Sequence, residues 1–325
     1  MKYLMRKALF YLVAFWVAIT LNFLMPRMMP GNPVQIMVAK FRGRINPQAI
    51  HAFTRAFGLN THASLLAQYG QYLSQLSHGN LGISLAMYSE PVSKVLAAAF
   101  PWTLLVVGLA TVMSFILGSF IGVLASWKRG GILDMVAPTV STFTAAFPYF
   151  WLALIVLYIF AFKLPWFPLA HAYANGNATW SPSNWPDILY HATLPALTIV
   201  VSSIGGWLLS MRNNMITTMG QDYISIARAK GLPARRIMFQ YAARNAILPN
   251  MTGFAMSLGF VLSGALLTEV VFSYPGLGYT LYQAVQADDY PLMQGTLLLI
   301  AVGVLLANFL VDILYVKMDP RVQNQ

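Results

Sequence analysis

The chain has 325 residues, of which 58% are hydrophobic and only 9% are charged. A soluble domain carries about 25% charged residues, so this chain has too few charges to solvate an ordinary surface. The composition argues against a soluble enzyme, a disordered protein and a secreted disulfide scaffold, and it indicates a protein embedded in lipid. The absence of cysteine excludes disulfides, thiolate metal sites, iron–sulfur clusters and a cysteine nucleophile.

Six stretches without Asp, Glu, Lys or Arg are long enough to cross a bilayer, which takes about 20 mostly apolar residues in a helix. None alternates with a period of two, so we predict helices and not a membrane barrel. No small-x-small cleavage site follows the first stretch, which favours an uncleaved span over a signal peptide. The stretches are residues 8–25, 95–127, 135–162, 188–211, 247–268 and 291–311.

The formal net charge of +11 is interpreted through the orientation of the chain in the membrane. If both termini are cytoplasmic, most of the 20 Lys and Arg residues lie on the cytoplasmic side, as the positive-inside rule requires. The charge then indicates anionic lipid headgroups and no nucleic acid. We therefore predict an all-α polytopic membrane protein with six transmembrane helices and cytoplasmic termini. Its parts are the first transmembrane helix (residues 1–29), an extracytoplasmic helical insertion (30–94) and a core with five transmembrane helices (95–325).

The insertion contains two helix signals. Asn46 and Pro47 predict a helix start, and Gly58 predicts its end. A second short helix is predicted from Ser64 to Leu76. The insertion is therefore expected to be a small folded unit that lies on the membrane surface or contacts an external partner.

The hydrophilic segment 212–246, between the fourth and fifth spans, is much longer than a plain connection of 2–8 residues. Asp222 can cap a short helix from Tyr223 to Lys230, and Gly231 suits a left-handed stop after it. Pro233 suits the first turn of a second helix that continues through Asn245. The segment is thus expected to hold two short cytoplasmic helices.

The first of these helices has an apolar face. Tyr223, Ile226 and Ala227 share that face by their i, i+3, i+4 spacing, and Ala229 is small enough for close backbone approach. An apolar face in water implies that something covers it. Two interpretations are open: a hairpin packed on its own membrane domain, or a docking element for a cytoplasmic subunit.

The sequence of this segment resembles the coupling loop of ABC importer permeases, in the version of the dipeptide/oligopeptide/nickel subfamily and of its first-permease type. The resemblance rests on DYISIARAKGLP at 222–233 and RNAILP at 244–249. It extends over most of the chain in the same order, although Tyr274 stands where the family usually has Trp. The other matching motifs are PGNP at 30–33, GNLGIS at 79–84, FSYPGLG at 272–278, DYP at 289–291, QG at 294–295 and the C-terminal Asn308, Asp312, Tyr315 and DPR at 319–321.

The resemblance implies a transporter subunit of the bacterial inner membrane that is not itself an enzyme. The partners it implies are a second homologous permease, two cytoplasmic ATP-binding subunits and an extracytoplasmic solute-binding protein. ATP and Mg would be bound by those partner ATPases, and this chain would hold no cofactor; indeed, the sequence has no G-x-x-x-x-G-K-[ST] motif. The residues implied to sit in the cleft of an ATPase subunit are Asp222, Tyr223, Ile226, Ala227, Arg228, Ala229, Lys230, Gly231 and Leu232.

A second candidate site follows the fifth span. Glu269 lies at its outer end, before a turn that contains Phe272, Pro275, Gly276 and Gly278. An acidic residue at a membrane boundary suggests an outer gate or a contact to a substrate cation. The alternative is structural: the carboxylate pairs with a backbone N–H or a basic group in the following re-entrant turn.

No pattern predicts a catalytic or metal site. The five histidines show no metal-ligand spacing, and no nucleophile–base set is evident. A polytopic membrane enzyme and an ion-driven secondary transporter are the alternatives from other classes, and the sequence lacks the intramembrane acids and repeats expected of the latter. Peptides are the first expectation for the substrate, with cello- or chito-oligosaccharides or nickel complexes as alternatives.

Overall fold

Long helices dominate the computed structural model, which describes residues 2–28, 64–84, 87, 90–174, 180–261 and 266–318. The PGNP motif, the helix expected near Asn46 and the DPR motif lie outside these residues. The helix predicted at 64–76 is confirmed as Leu65–Ser77, and Ser64 caps it by accepting a hydrogen bond from the Ala67 N–H (3.3 Å). Across the described ranges, β pairing is limited to one isolated bridge between Ile83 and Pro91.

The helices are named here in chain order. The first five are α1 (Lys2–Met28), α2 (Leu65–Ser77), α3 (Val92–Trp127), α4 (Ile132–Ala146) and α5 (Tyr149–Lys163). Then come α6 (Trp185–Met219), α7 (Asp222–Ala229) and α8 (residues 234–260, whose consecutive parts are Ala234–Arg236, Ile237–Ala243 and Arg244–Phe260). The last three are α9 (Leu266–Val271), α10 (Leu277–Gln286) and α11 (Tyr290–Met318).

Four of the six predicted spans are confirmed as single helices long and apolar enough to cross a membrane. They lie in α1, α3, α6 and α11. The third predicted span is different: α4 and α5 meet at an angle of 95°, so residues 135–162 form a broken span or a re-entrant pair. The break falls at Phe147 and Pro148, because the proline ring disfavours helical geometry at the residue before it.

The fifth predicted span, 247–268, covers part of α8, residues 262–265 that are not described, and the start of α9. The total of six crossings therefore stays a prediction.

Helices α3 and α6 are in backbone contact through glycine. A Cβ on Gly118 would lie 2.7 Å from the Ile204 carbonyl oxygen, and one on Gly122 would lie 2.6 Å from the Leu208 carbonyl oxygen. Small residues let membrane helices approach this closely, so that dispersion contacts replace the hydrophobic driving force that lipid removes. Gly118 and Gly122 therefore act as packing residues between the two helices.

This contact gives a testable contrast between two glycines. Gly122→Ala should destabilise the protein by about 1–3 kcal/mol, because its methyl group would meet backbone atoms of α6 that cannot move aside. Gly206→Ala is the matched control, since a Cβ there has no neighbour within 4 Å and alanine favours the helix. Thermal unfolding in detergent should show a lower midpoint for Gly122→Ala only. Equal midpoints for both variants would contradict the close contact.

The two terminal helices, α1 and α11, are joined by polar contacts. The Lys7 ammonium lies 3.1 Å from a carboxylate oxygen of Asp312, and the Tyr11 hydroxyl donates to the same carboxylate (2.7 Å). Further along both helices, Asn22 donates to the Gln294 carbonyl (2.8 Å) and Gln294 donates to the Asn22 carbonyl (3.0 Å). Asp312 therefore links the two terminal helices.

The buried apolar residues form separate clusters along the length of α6. One surrounds the start of α6 and includes Trp102, Ile188, Phe272 and Tyr274. Another surrounds its end and the helix α7. The outward faces of α1 and α11 stay apolar, as at Trp16 (57% exposed). Such a surface requires lipid or partner helices around it.

Candidate functional sites

The two candidate sites lie at opposite ends of α6, which is about 50 Å long at 1.5 Å per residue. At its C-terminal end, α6 leads through Gly220 and Gln221 into α7. At its N-terminal end, the preceding segment is fixed to the other candidate site by a hydrogen bond from the His171 N–H to the Phe272 carbonyl (3.0 Å).

The hydrophilic segment 212–246 is organised differently from the two short helices that the sequence predicted. Its first residues belong to α6, which continues to Met219, and its last residues belong to α8, which continues to Phe260. Only α7 is a separate short helix. Short connections of four residues or fewer join α7 to each of these two long helices.

The start of α7 also differs from the prediction. The N-cap position is Gln221 and not Asp222, and no side chain at that position accepts a hydrogen bond from the first turn. Asp222 is the first helical residue, where its negative charge is favourable for the helix dipole.

The helix α7 has two different faces. Ile224 (0% exposed) and Ala227 (3%) pack against Met211 and Met215 of α6 and Ile237 of α8. This burial corrects the sequence-based grouping of Ala227 with Tyr223 and Ile226. Ile224, which the sequence analysis omitted, is the true neighbour of Ala227 at three residues' spacing, and that spacing was the signal available to find it.

The opposite face of α7 is open. Tyr223 is 37% exposed and Ile226 is 56% exposed, and the Tyr223 hydroxyl accepts a hydrogen bond from the Asn245 side chain on α8 (3.0 Å). The exposed charged side chains of α7 and of the residues just after it are mostly basic: Arg228, Lys230, Arg235 and Arg236, with the acid Asp222 at the start of the helix. The exposed α7 face, defined by Tyr223, Ile226 and these cations, therefore combines apolar area with a net positive charge.

Gly231 ends α7 in the left-handed conformation that the sequence predicted, with φ of +71°. Its N–H donates to the Arg228 carbonyl (2.9 Å), and the Leu232 N–H donates to the Ala227 carbonyl (3.3 Å). These bonds satisfy carbonyl groups that have no partner inside the helix. Leu232, also predicted to dock, is half-buried and packs against the same cluster as Ile224.

The Glu269 side chain is surrounded by the turn that follows it and by the start of α10. The Glu269 side chain is 1% exposed and accepts three hydrogen bonds: from the Thr103 hydroxyl (2.7 Å), the Gly278 N–H (2.7 Å) and the Tyr279 N–H (3.2 Å). The Thr103 hydroxyl in turn accepts from the Leu277 N–H (2.7 Å). The first three N–H groups of α10 thus find acceptors on α3 and α9, where a carboxylate is also favoured by the helix dipole.

Two residues predicted in the turn, Gly276 and Gly278, must be glycine because the carboxylate and its surroundings leave no room for a side chain. A Cβ on Gly276 would lie 2.5 Å from both carboxylate oxygens, and a Cβ on Gly278 would lie 2.6 Å from the Leu266 Cα. Phe272 is 2% exposed within the cluster of Trp102 and Ile188, and Pro275 is half-buried. The backbone N–H partners expected by the structural alternative for Glu269 are present.

Distant motifs of the sequence meet on the same side of the molecule. The Ser84 hydroxyl of GNLGIS donates to the Asp289 carboxylate of DYP (2.6 Å), and both side chains are buried. A Cβ on Gly82 would lie 3.3 Å from the Cβ of Pro291, which gives this glycine, with φ of +86°, a packing role as well. The motif residues therefore form two hydrogen-bonded groups, one around Asp289 and one around Glu269. Thr103 belongs to the second group but to no motif, and the sequence carried no signal for it.

The described residues contain no group of three or more His, Asp or Glu side chains that could hold a metal ion. His191 interacts with its own helix, through the Asp187 carboxylate (3.2 Å) and carbonyl (2.9 Å).

Comparison with known proteins shows the family of this chain. Residues 114–324 match the family described as binding-protein-dependent transport system inner membrane component. The chain belongs to this family. It is a membrane permease component of a transport system, and the match covers the described parts of α6 to α11, including α7 and the turn after Glu269.

Individual relatives extend the similarity over the whole chain. The di/tripeptide transport system permease protein DppB of Pseudomonas aeruginosa is 32% identical over 100% of this chain and 99% of its own length. The dipeptide transport system permease protein DppB of Escherichia coli is 33% identical over 95% of both. The oligopeptide transport system permease protein AppB of Bacillus subtilis is 30% identical over 99% of both.

Proposed function

We propose that this permease forms half of the translocation pathway of an ATP-driven importer for di- and oligopeptides. Its partners would be a second homologous permease, two cytoplasmic ATP-binding subunits and an extracytoplasmic solute-binding protein. The whole-length similarity to peptide permeases supports the substrate class. The proposed location is the bacterial inner membrane, with six crossings and both termini in the cytoplasm.

The proposal that this permease binds ATPase subunits is supported by the division of α7 into two faces. Ile224 and Ala227 hold the helix to α6 and α8, whereas Tyr223 and Ile226 leave apolar area open beside exposed cations. A partner with an apolar pocket and an acidic rim would cover this face. Because α7 is tied rigidly on its buried side, a movement of the partner would be transmitted to α6 and α8.

In the cycle we propose, ATP binding closes the two ATPase subunits and carries the α7 helices with them. The inner ends of α6 and α8 follow, and the pathway opens to the outside. The buried network of Thr103, Glu269 and the start of α10 would keep the outer ends of α3, α9 and α10 together during this movement.

The proposal predicts that Ile226→Asp separates the permease from its ATPases. A charge at this 56% exposed position should leave folding intact while placing a carboxylate in the apolar centre of the contact. We expect loss of ATPase co-purification with the tagged permease and loss of ATP-driven dipeptide uptake. Leu66→Asp is the control, since Leu66 is 84% exposed on α2 and far from α7 in the chain. Normal ATPase recovery with Ile226→Asp would refute the assignment of this face.

A further inference from the structure

A cavity of about 530 Å³ lies beside the break between α4 and α5. Its volume is within the range of small-molecule sites, about 300–1,000 Å³. The walls come from α3, α6, the end of α8 and both sides of the break. Prominent among the lining residues are Thr111, Phe147, Pro148, Ser202, Ser257 and Phe260.

The cavity lies at mid-height of the long helices. Thr111 is near the middle of α3 (Val92–Trp127), and Ser202 is near the middle of α6 (Trp185–Met219). The break at Phe147 and Pro148 therefore brings irregular backbone to membrane depth. Unpaired amides and carbonyls do not occur against lipid there, and they persist where they line a water-filled cavity or are covered by protein. This constraint keeps the broken backbone, and the cavity beside it, away from lipid, so they face the solute pathway or a covering helix of a partner.

The polar groups beside the cavity include both acceptors and donors. The Thr111 hydroxyl donates to the Val107 carbonyl (2.7 Å), the Ser202 hydroxyl to Ile199 (2.8 Å) and the Ser257 hydroxyl to Phe254 (2.8 Å), so these three oxygens have lone pairs left to accept. Tyr149 also lines the cavity, and a phenol can donate as well as accept. At the break, the last carbonyls of α4 and the first N–H groups of α5 have no partners within their own helices.

None of the residues lining this cavity carries a charged side chain. The cavity thus offers hydrogen-bond acceptors and donors, as the main chain of a short peptide requires, and it has no charge with which to select among solute side chains. We propose that it receives the ammonium group and main-chain amides of a short peptide in transit. This inference rests on the proposed peptide importer and adds to it the position of the solute and the kind of contact that holds it.

The absence of cysteine from the chain makes a direct test possible. Thr111→Cys, Ser202→Cys and Ser257→Cys are introduced singly into the complete transporter in proteoliposomes. A charged, water-soluble biotin-methanethiosulfonate is then applied, and biotin is read on the permease band, where the introduced thiol is the single reactive group. Ser203→Cys is the matched control, because Ser203 is the next residue of α6, is also half-buried and does not line the cavity.

We expect labelling at positions 111, 202 and 257 and little at 203. Saturating dialanine, supplied with the binding protein, should slow labelling at the three cavity positions by at least about tenfold. A tenfold change corresponds to about 1.4 kcal/mol of free energy. Reaction with a lipid-soluble maleimide alone would show that the cavity faces lipid and would overturn the inference. Unchanged labelling rates in a complex that imports dialanine would also overturn it while leaving the proposed function intact. Protection by cellobiose and not by dialanine would overturn the peptide assignment of both.

Discussion

Glu269→Ala should prevent the stable folding of the region where α3, α9 and α10 meet. The substitution leaves the Thr103 hydroxyl and the N–H groups of Gly278 and Tyr279 without their acceptor in a buried site. Each unpaired buried donor costs about 1–3 kcal/mol, so the total loss is expected to be about 3 kcal/mol or more. The measurement is the amount of permease that elutes as a single species in detergent, together with its thermal midpoint.

Glu269→Gln separates the structural role from that of a gate. The amide keeps one acceptor oxygen but turns an NH₂ group toward donors, so the thermal midpoint should also fall, though less than with alanine. Thr103→Val is the matched variant, since it removes one hydrogen bond to the carboxyl group without touching that group, although it also leaves the Leu277 N–H without its acceptor. Glu269→Gln with an unchanged midpoint and a selective loss of uptake would instead indicate a gate or a contact to a substrate cation.

Gly231→Val should uncouple ATP hydrolysis from transport. The residue has φ of +71° and a Cβ there would meet nothing within 4 Å, so the effect comes from backbone strain and not from a clash. A left-handed conformation costs a β-branched residue about 1–2 kcal/mol. The strain is relieved when the end of α7 changes its geometry, which alters the surface offered to the ATPase. We expect dipeptide uptake per ATP hydrolysed to fall about tenfold, the equivalent of 1.4 kcal/mol.

The control for this prediction is Gly231→Asn. Asparagine adopts the left-handed region more readily than other residues and should retain most of the coupling. Uptake and ATPase rates are measured together in proteoliposomes, and membrane insertion is checked by the yield of extracted permease. A valine variant that transports as efficiently as the asparagine variant would show that this helix end has no part in coupling.

Sequence reasoning performed best where a local rule decides the conformation. The left-handed conformation of Gly231 and the short helix at 64–76 depend on a few neighbouring residues, and both were predicted. Four membrane helices followed from the length of their apolar stretches, since the bilayer fixes the length that a crossing needs. The exposed α7 face was half predictable: Tyr223 and Ile226 are open, but Ala227 turns inward with Ile224 because α6 and α8 lie on that side.

By itself, the sequence determined that the protein is embedded in lipid and that it is helical, because composition and short-range periodicity are properties of the chain alone. The coupling role of segment 212–246 rests instead on the resemblance of its motifs to a family, and it stays a prediction. The tertiary structure alone decided three other features: the 95° break between α4 and α5, the continuity of α8 through the hydrophilic segment, and the pairing of Thr103 with Glu269 across 166 positions. The reason is physical. Each depends on which distant helix lies opposite a given residue, and packing between helices is set by contacts that no local pattern specifies.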